Sequence, residues 1–281
     1  MNGFWLILLA VFAAAGYFFA PRLFGFPRLK KVRYKTTPQG DLWLHIYMPP
    51  RQAAKPPPAL LYFYGGGWVE GRVSQFQTQA RHMAKAGVVV ALAQYRVSSR
   101  EGTAPDSAVE DAFDAFAYLL DSARDWNVDP QRIAIGGSSA GGHLAACVSL
   151  CQPPHELQLK TRPAIMLLLN PVLDLYTVTA ELEFTCGEIA LVDELERKGL
   201  RQQLSPQQQS FSKAPPTYML YGSEDPLKKQ GEYFTQKMLE HNKDVQSVSV
   251  PGQRHSFFNH PPHNLQVADE LLLFLRKQGW V

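Results

Sequence analysis

Three short, unbroken apolar runs constrain the fold of this chain more than any other feature. They are ALLYFY at Ala59 to Tyr64, VVVALA at Val88 to Ala93 and AIMLLL at Ala164 to Leu169. None shows the period-two alternation of a strand with one face in water. Such runs fit strands buried on both faces, as in a parallel sheet covered by helices on each side. Helix-length segments separate them: Ser74 to Ala86, Ala104 to Trp126 with Pro105 and Asp106 at its start, and Ala140 to Leu150. Further strands are expected at Arg132 to Ile135, Thr217 to Tyr221 and Val245 to Val250, with helices at Lys228 to Asn242 and Asn264 to Lys277. Lys31 to Thr37 and Asp41 to Met48 read as a hairpin through Pro38-Gln39-Gly40, an antiparallel edge to the sheet. The result is an α/β domain over residues 27–281, with a mostly parallel eight-stranded sheet and helices on both faces. Residues 171–216 break the alternation, hold a helical candidate at Glu188 to Leu204, and are expected to form a lid insertion.

The N-terminus is of another kind. Phe4 to Ala20 carries no charge and, as a helix, reaches about 25 Å, the short end of what spans a bilayer. Trp5 and Tyr17 lie near its ends, where amphipathic rings favour the interface. Residues 1–26 are therefore expected to be a single-pass membrane anchor containing a transmembrane helix. A signal peptide, cleaved to give a secreted protein, is the alternative. No Lys or Arg precedes the apolar run, and Pro21 follows Ala20, and both points weigh against cleavage. Arg22, Arg28, Lys30, Lys31, Arg33 and Lys35 account for the formal net charge of +3. By the positive-inside rule they place the body in the cytoplasm. The remainder is close to neutral, with no basic stripe, which excludes nucleic acid as a partner. Three cysteines, Cys147, Cys151 and Cys186, are too few for a disulfide scaffold, and no metal site has its ligands at zinc-like spacing.

Four segments carry the chemistry, each just after an expected strand. Gly137-Ser138-Ser139-Ala140-Gly141 is a G-x-S-x-G sequence between strand and helix, with Ser139 central. The glycines leave room for a sharp turn, and the following helix supplies free N–H groups. Ser138 is the rival nucleophile but lacks the flanking glycines. Tyr64-Gly65-Gly66-Gly67-Trp68 lets backbone approach a reacting carbonyl closely. The N–H groups of Gly65, Gly66 and Ala140 are read as the oxyanion hole. Asp225, in Gly222-Ser223-Glu224-Asp225-Pro226-Leu227, is read as the acid, with Glu224 and Asp174 as rivals. His255, in Arg254-His255-Ser256-Phe257-Phe258, is read as the base, ahead of His260 and His263. His143 is expected to face out of the elbow helix in a structural role.

These motifs, with Tyr95-Arg96 and the GSSAGGHLA run from Gly137 to Ala145, resemble the α/β-hydrolase carboxylesterases of the hormone-sensitive-lipase-like and acetyl-esterase-like groups. The resemblance covers nearly the whole chain after the anchor. It implies an α/β-hydrolase fold and a serine esterase without cofactor, acting on a small-molecule ester. Two departures stand out. Tyr64 occupies the place of the family's usual histidine, which puts the support of the glycine loop in question. The N-terminal helical cap of the lipase-like members is missing, so any cap comes from 171–216, which favours short acyl or acetyl esters. An aryl-formamide hydrolase and a catalytically idle binding module are the alternatives.

Overall fold

A computed structural model of the chain describes residues 25–51, 54–153 and 155–281. Eight strands form one sheet: β1 (Arg28–Thr37), β2 (Gly40–Met48), β3 (Ala59–Phe63), β4 (Val89–Ala93), β5 (Ile133–Ser138), β6 (Ile165–Leu169), β7 (Thr217–Gly222) and β8 (Val245–Val250). Their order is β1-β2-β4-β3-β5-β6-β7-β8. The hairpin β1–β2 is antiparallel and joins β4 antiparallel, while the pairs from β4 to β8 are all parallel. Every residue of β3, β4 and β6 is buried, as their unbroken apolar sequences require.

Among the described residues six helices of more than one turn accompany the sheet: α1 (Gln77–Lys85), α2 (Pro105–Asp121), α3 (Ala140–Leu150), α4 (Cys186–Arg197), α5 (Lys228–Glu240) and α6 (His263–Lys277). α1 packs on α6, whereas α2 packs on α3 and α4. α3 is buried at every residue but Leu150, which explains why it carries almost no polar side chain. α4 starts earlier than its expected limit because Thr185 and Glu188 form a capping box at Cys186. It stops at Arg197 because Gly199, at φ +70°, turns the chain out of the helix.

The expected membrane span has no counterpart among the described residues. Among the described residues no helix is long and apolar enough to cross a membrane. The longest, α2, has 17 residues and carries Asp106, Glu110, Asp111, Asp114 and Asp121. The described residues thus form the eight-stranded α/β sheet with its helices and include no transmembrane helix. The segment from Phe4 to Ala20 on which that expectation fell lies outside the described residues.

The strand order places the site. After β3 the chain moves to β4 on one side, and β5 returns to the other side of β3. The loops leaving β3 and β5 therefore diverge at a switch point, where open α/β sheets leave a crevice. Phe63 and Gly137 are partners in the β3–β5 pair, so the glycine loop and the serine turn emerge side by side. β7 and β8, whose following loops carry Asp225 and His255, are likewise neighbours.

Candidate active site

Ser139 joins β5 to α3 at φ +52° and ψ −121°, a conformation that costs a non-glycine residue about 1–3 kcal/mol. Its neighbours hold it there. The Ser139 N–H donates to Leu169 O at 3.0 Å, and its carbonyl accepts from the N–H of His143 at 3.0 Å and of Val172 at 3.2 Å. A Cβ at Gly137 would overlap the Gly141 carbonyl, and one at Gly141 would overlap the carbonyls of Phe63 and Tyr64. The G-x-S-x-G pattern is thus a packing requirement between the turn and β3.

His255 Nδ1 lies 2.9 Å from Asp225 Oδ2. The Asp225 carboxylate is fully buried, and its other oxygen accepts the Leu227 N–H at 2.8 Å. Asn170 Nδ2 also donates to Asp225 Oδ2. Asn170 follows β6 at φ +45° and accepts the Ser256 N–H at 3.4 Å, so it ties the acid to the histidine loop. His255 and Ser139 line two cavities together, one of about 340 Å³ and one of about 110 Å³. No hydrogen bond joins their side chains among the described residues; in the free state such contacts are often long.

The glycine loop differs from its expected role in one respect. The N–H of Gly65 donates to Gln75 Oε1 at 2.7 Å. That donor is already used, which corrects the assignment of Gly65 to the oxyanion hole. Gly66 and Gly67 line the larger cavity with Ser139. Among the described residues none accepts from the N–H groups of Gly66, Gly67 or Ala140. Gly66 at φ +135° and Gly67 at φ +62° adopt conformations that glycine tolerates best.

Gln75 went unrecognised in the sequence. Its Oε1 accepts from Gly65 and from Ser138 Oγ at 3.3 Å, so one side chain holds the glycine loop to the serine turn. Ser138, the rival nucleophile, is fully buried in that contact. Tyr64 supports the loop in place of a histidine. Its hydroxyl donates to Tyr95 O at 3.1 Å, the Tyr95 hydroxyl donates to Tyr64 O at 2.8 Å, and the rings stack at 4.2 Å. Arg96 beside it is fixed through Nε and Nη2 to Asp111 at 2.9 and 2.8 Å.

The rivals lie elsewhere. Glu224 is exposed, and Asp174 caps a turn by accepting the Tyr176 N–H at 3.0 Å. His260 is exposed, and His263 packs on Phe257. His143 is structural, but it points inward and is fully buried. Its Nδ1 accepts from Trp68 Nε1 at 3.3 Å and its Nε2 meets Leu204 O at 2.7 Å. Burial pushes its pKa down to about 4, so the ring is neutral. Cys147 and Cys151 are buried free thiols, and Cys186 is exposed. Among the described residues no group of three or more His, Cys, Asp or Glu side chains could hold a metal ion.

A serine on a strained strand-to-helix turn, a glycine loop beside it and an aspartate-held histidine at adjoining strand ends are the parts of an α/β hydrolase. A family model for the alpha/beta hydrolase fold matches residues 60–259, and the chain belongs to that family. Ethyl acetate hydrolase of Pseudomonas putida is 32% identical over 244 residues, covering 79% of this chain and 73% of that protein. Carboxylesterase NlhH of Mycobacterium tuberculosis is 26% identical over 235 residues, covering 78% and 72%. A probable isoprenylcysteine alpha-carbonyl methylesterase of Oryza sativa, ICME, is 32% identical over 151 residues, but the chain spans only 34% of its length. Among solved structures, the propionate-bound esterase Est2 of Thermogutta terrifontis superposes with a TM-score of 0.79 at 29% identity, covering 90% of this chain and 95% of that one. The same esterase phosphonylated by sarin gives a TM-score of 0.80 at 27% identity, covering 90% and 96%. With these likenesses, the chain is a carboxylic ester hydrolase.

Proposed function

We propose that Ser139, His255 and Asp225 form the catalytic triad of a serine esterase for short acyl esters. The observation that carries this reading is the meeting of Ser139 and the Asp225-held His255 around shared cavities. His255 takes the Ser139 proton as Ser139 Oγ bonds to the ester carbonyl carbon. The oxyanion is held by the N–H groups of Gly66, Gly67 and Ala140. The carbon–alkoxy bond then breaks, and the alcohol leaves with the proton from His255. Water, deprotonated by His255, cleaves the acyl-enzyme and returns the serine.

The small volume of the second cavity, about 110 Å³, supports a short acyl group. So does the propionate bound by the Thermogutta esterase. The test is hydrolysis of p-nitrophenyl acetate and p-nitrophenyl octanoate by the wild type and by Ser139→Ala. The wild type is expected to prefer acetate, and the variant to be inactive on both while folded. A fluorophosphonate probe is expected to label only the wild type. Activity retained in Ser139→Ala refutes the nucleophile, and a preference for octanoate refutes the acyl length.

A further inference from the structure

Two cavities meet at Ser139, His255 and Glu188, and they differ in size. The smaller is walled by Leu182, Phe184, Pro226 and Leu227, with Glu183 at its edge. The larger, about 340 Å³, is lined by the glycine loop and Val69 and also by Glu70, Gln75, Thr185 and Glu188. No Lys or Arg lines either one. Arg254 reaches Glu183 across 3.9 Å, with both side chains exposed.

Glu188 is held in place. One carboxylate oxygen, Oε2, accepts the Thr185 N–H at 2.8 Å and the Thr185 hydroxyl at 2.7 Å. The other lies against the glycine loop, where a Cβ on Gly67 would overlap it. A capping box at the start of α4 thus delivers a fixed negative charge beside the oxyanion loop. Among the described residues neither Glu188 nor Glu70 has an ion-pair partner. Gln75, with Oε1 occupied by two donors, leaves its NH₂ as the neutral polar group in the same wall.

We propose that this esterase selects substrates whose acyl group is small and whose alcohol portion carries a positive charge, and that Glu188 and Glu70 set that preference. The inference rests on the serine-esterase reading above. The smaller cavity takes the acyl group by size. The leaving alcohol then occupies the larger cavity, where a cation meets two unpaired carboxylates and an anion meets repulsion. In a water-like dielectric one carboxylate a few ångströms away shifts binding about fivefold.

The test uses the full chain and three acetate esters that differ in alcohol charge. 2-(Trimethylammonio)ethyl acetate is the cation, 3,3-dimethylbutyl acetate its neutral isostere, and 3-acetoxypropanoate the anion. The expected kcat/KM falls in that order, by about fivefold at each step at low salt. High salt compresses the series. Glu188→Gln keeps the capping box, since glutamine serves at that position, and removes the charge. It is expected to bring the cation-to-neutral ratio down severalfold, and Glu70→Gln to lower it further. The ratio is the readout, so a change in overall turnover does not enter. Equal kcat/KM for the cation and its isostere, or a ratio unmoved by both substitutions, overturns the proposal while leaving the triad standing. Loss of all wild-type hydrolysis, p-nitrophenyl acetate included, removes the esterase reading and this one with it.

Discussion

His143 makes a quantitative claim on the acid stability of the fold. It is fully buried between Trp68 and Leu204, and its pKa is lowered from 6.5 to about 4. The unfolded chain therefore binds a proton on this ring at a pH where the folded chain does not. Stability from the neutral ring is complete above about pH 6.5 and is lost progressively as the pH falls toward about 4. One pKa unit corresponds to about 1.4 kcal/mol, so the loss is about 2 kcal/mol at pH 5 and about 3 kcal/mol at pH 4. Other groups titrate too, so the measurement is a difference between two proteins. His143→Gln keeps an acceptor for Trp68 and a donor for Leu204 but does not titrate. Urea unfolding near pH 7 and near pH 5, followed by tryptophan fluorescence, gives both stabilities. The wild type is expected to lose about 2 kcal/mol more than the variant over that interval. Parallel losses would refute the claim that this ring is neutral inside and protonated outside.

Three other perturbations bear on the site. Asp225→Asn is expected to lower kcat about 10³- to 10⁴-fold by favouring the wrong tautomer of His255, with circular dichroism unchanged, and a loss under tenfold would count against the triad. Gln75→Leu frees the glycine loop from the serine turn and is expected to lower kcat about tenfold or more with KM little altered, as steady-state kinetics on p-nitrophenyl acetate will read. Gly141→Ala forces a methyl group into the carbonyls of Phe63 and Tyr64 and is expected to cost about 3 kcal/mol in urea unfolding, against no change if the elbow has slack.

Much of this architecture is written in local sequence. α3 and β8 fall at their expected limits, α3 because it starts directly after the serine turn and β8 because Pro251-Gly252 ends it. Ser139, Asp225 and His255 stood out because each lies in a short motif directly after a strand, where the sheet itself brings them together. What escaped notice depends on contacts between distant segments. Gln75 lies in a one-turn helix without any motif, and its role comes from pairing with Gly65 and Ser138 across the crevice. Asn170 looks like any residue closing a strand until its side chain meets Asp225. The direction of His143 was misjudged because α3 is enclosed on all sides, so its sequence lacks the polar face that tells inside from outside. Gly65 was misassigned for the same kind of reason: three successive glycines look alike until a remote acceptor singles one out.

The exchange at Tyr64 has a bearing on where this enzyme can work. An imidazole under the glycine loop would gain a proton in mildly acid surroundings and put a new charge beneath the oxyanion donors. A phenol does not. Burial pushes the Tyr64 hydroxyl still further from ionisation, and Tyr95 answers it with a second neutral ring. From mild acid to mild alkali the Tyr64–Tyr95 pair therefore stays uncharged, and the acid sensitivity of the elbow's surroundings falls to His143, which holds Trp68 at the far end of the same loop.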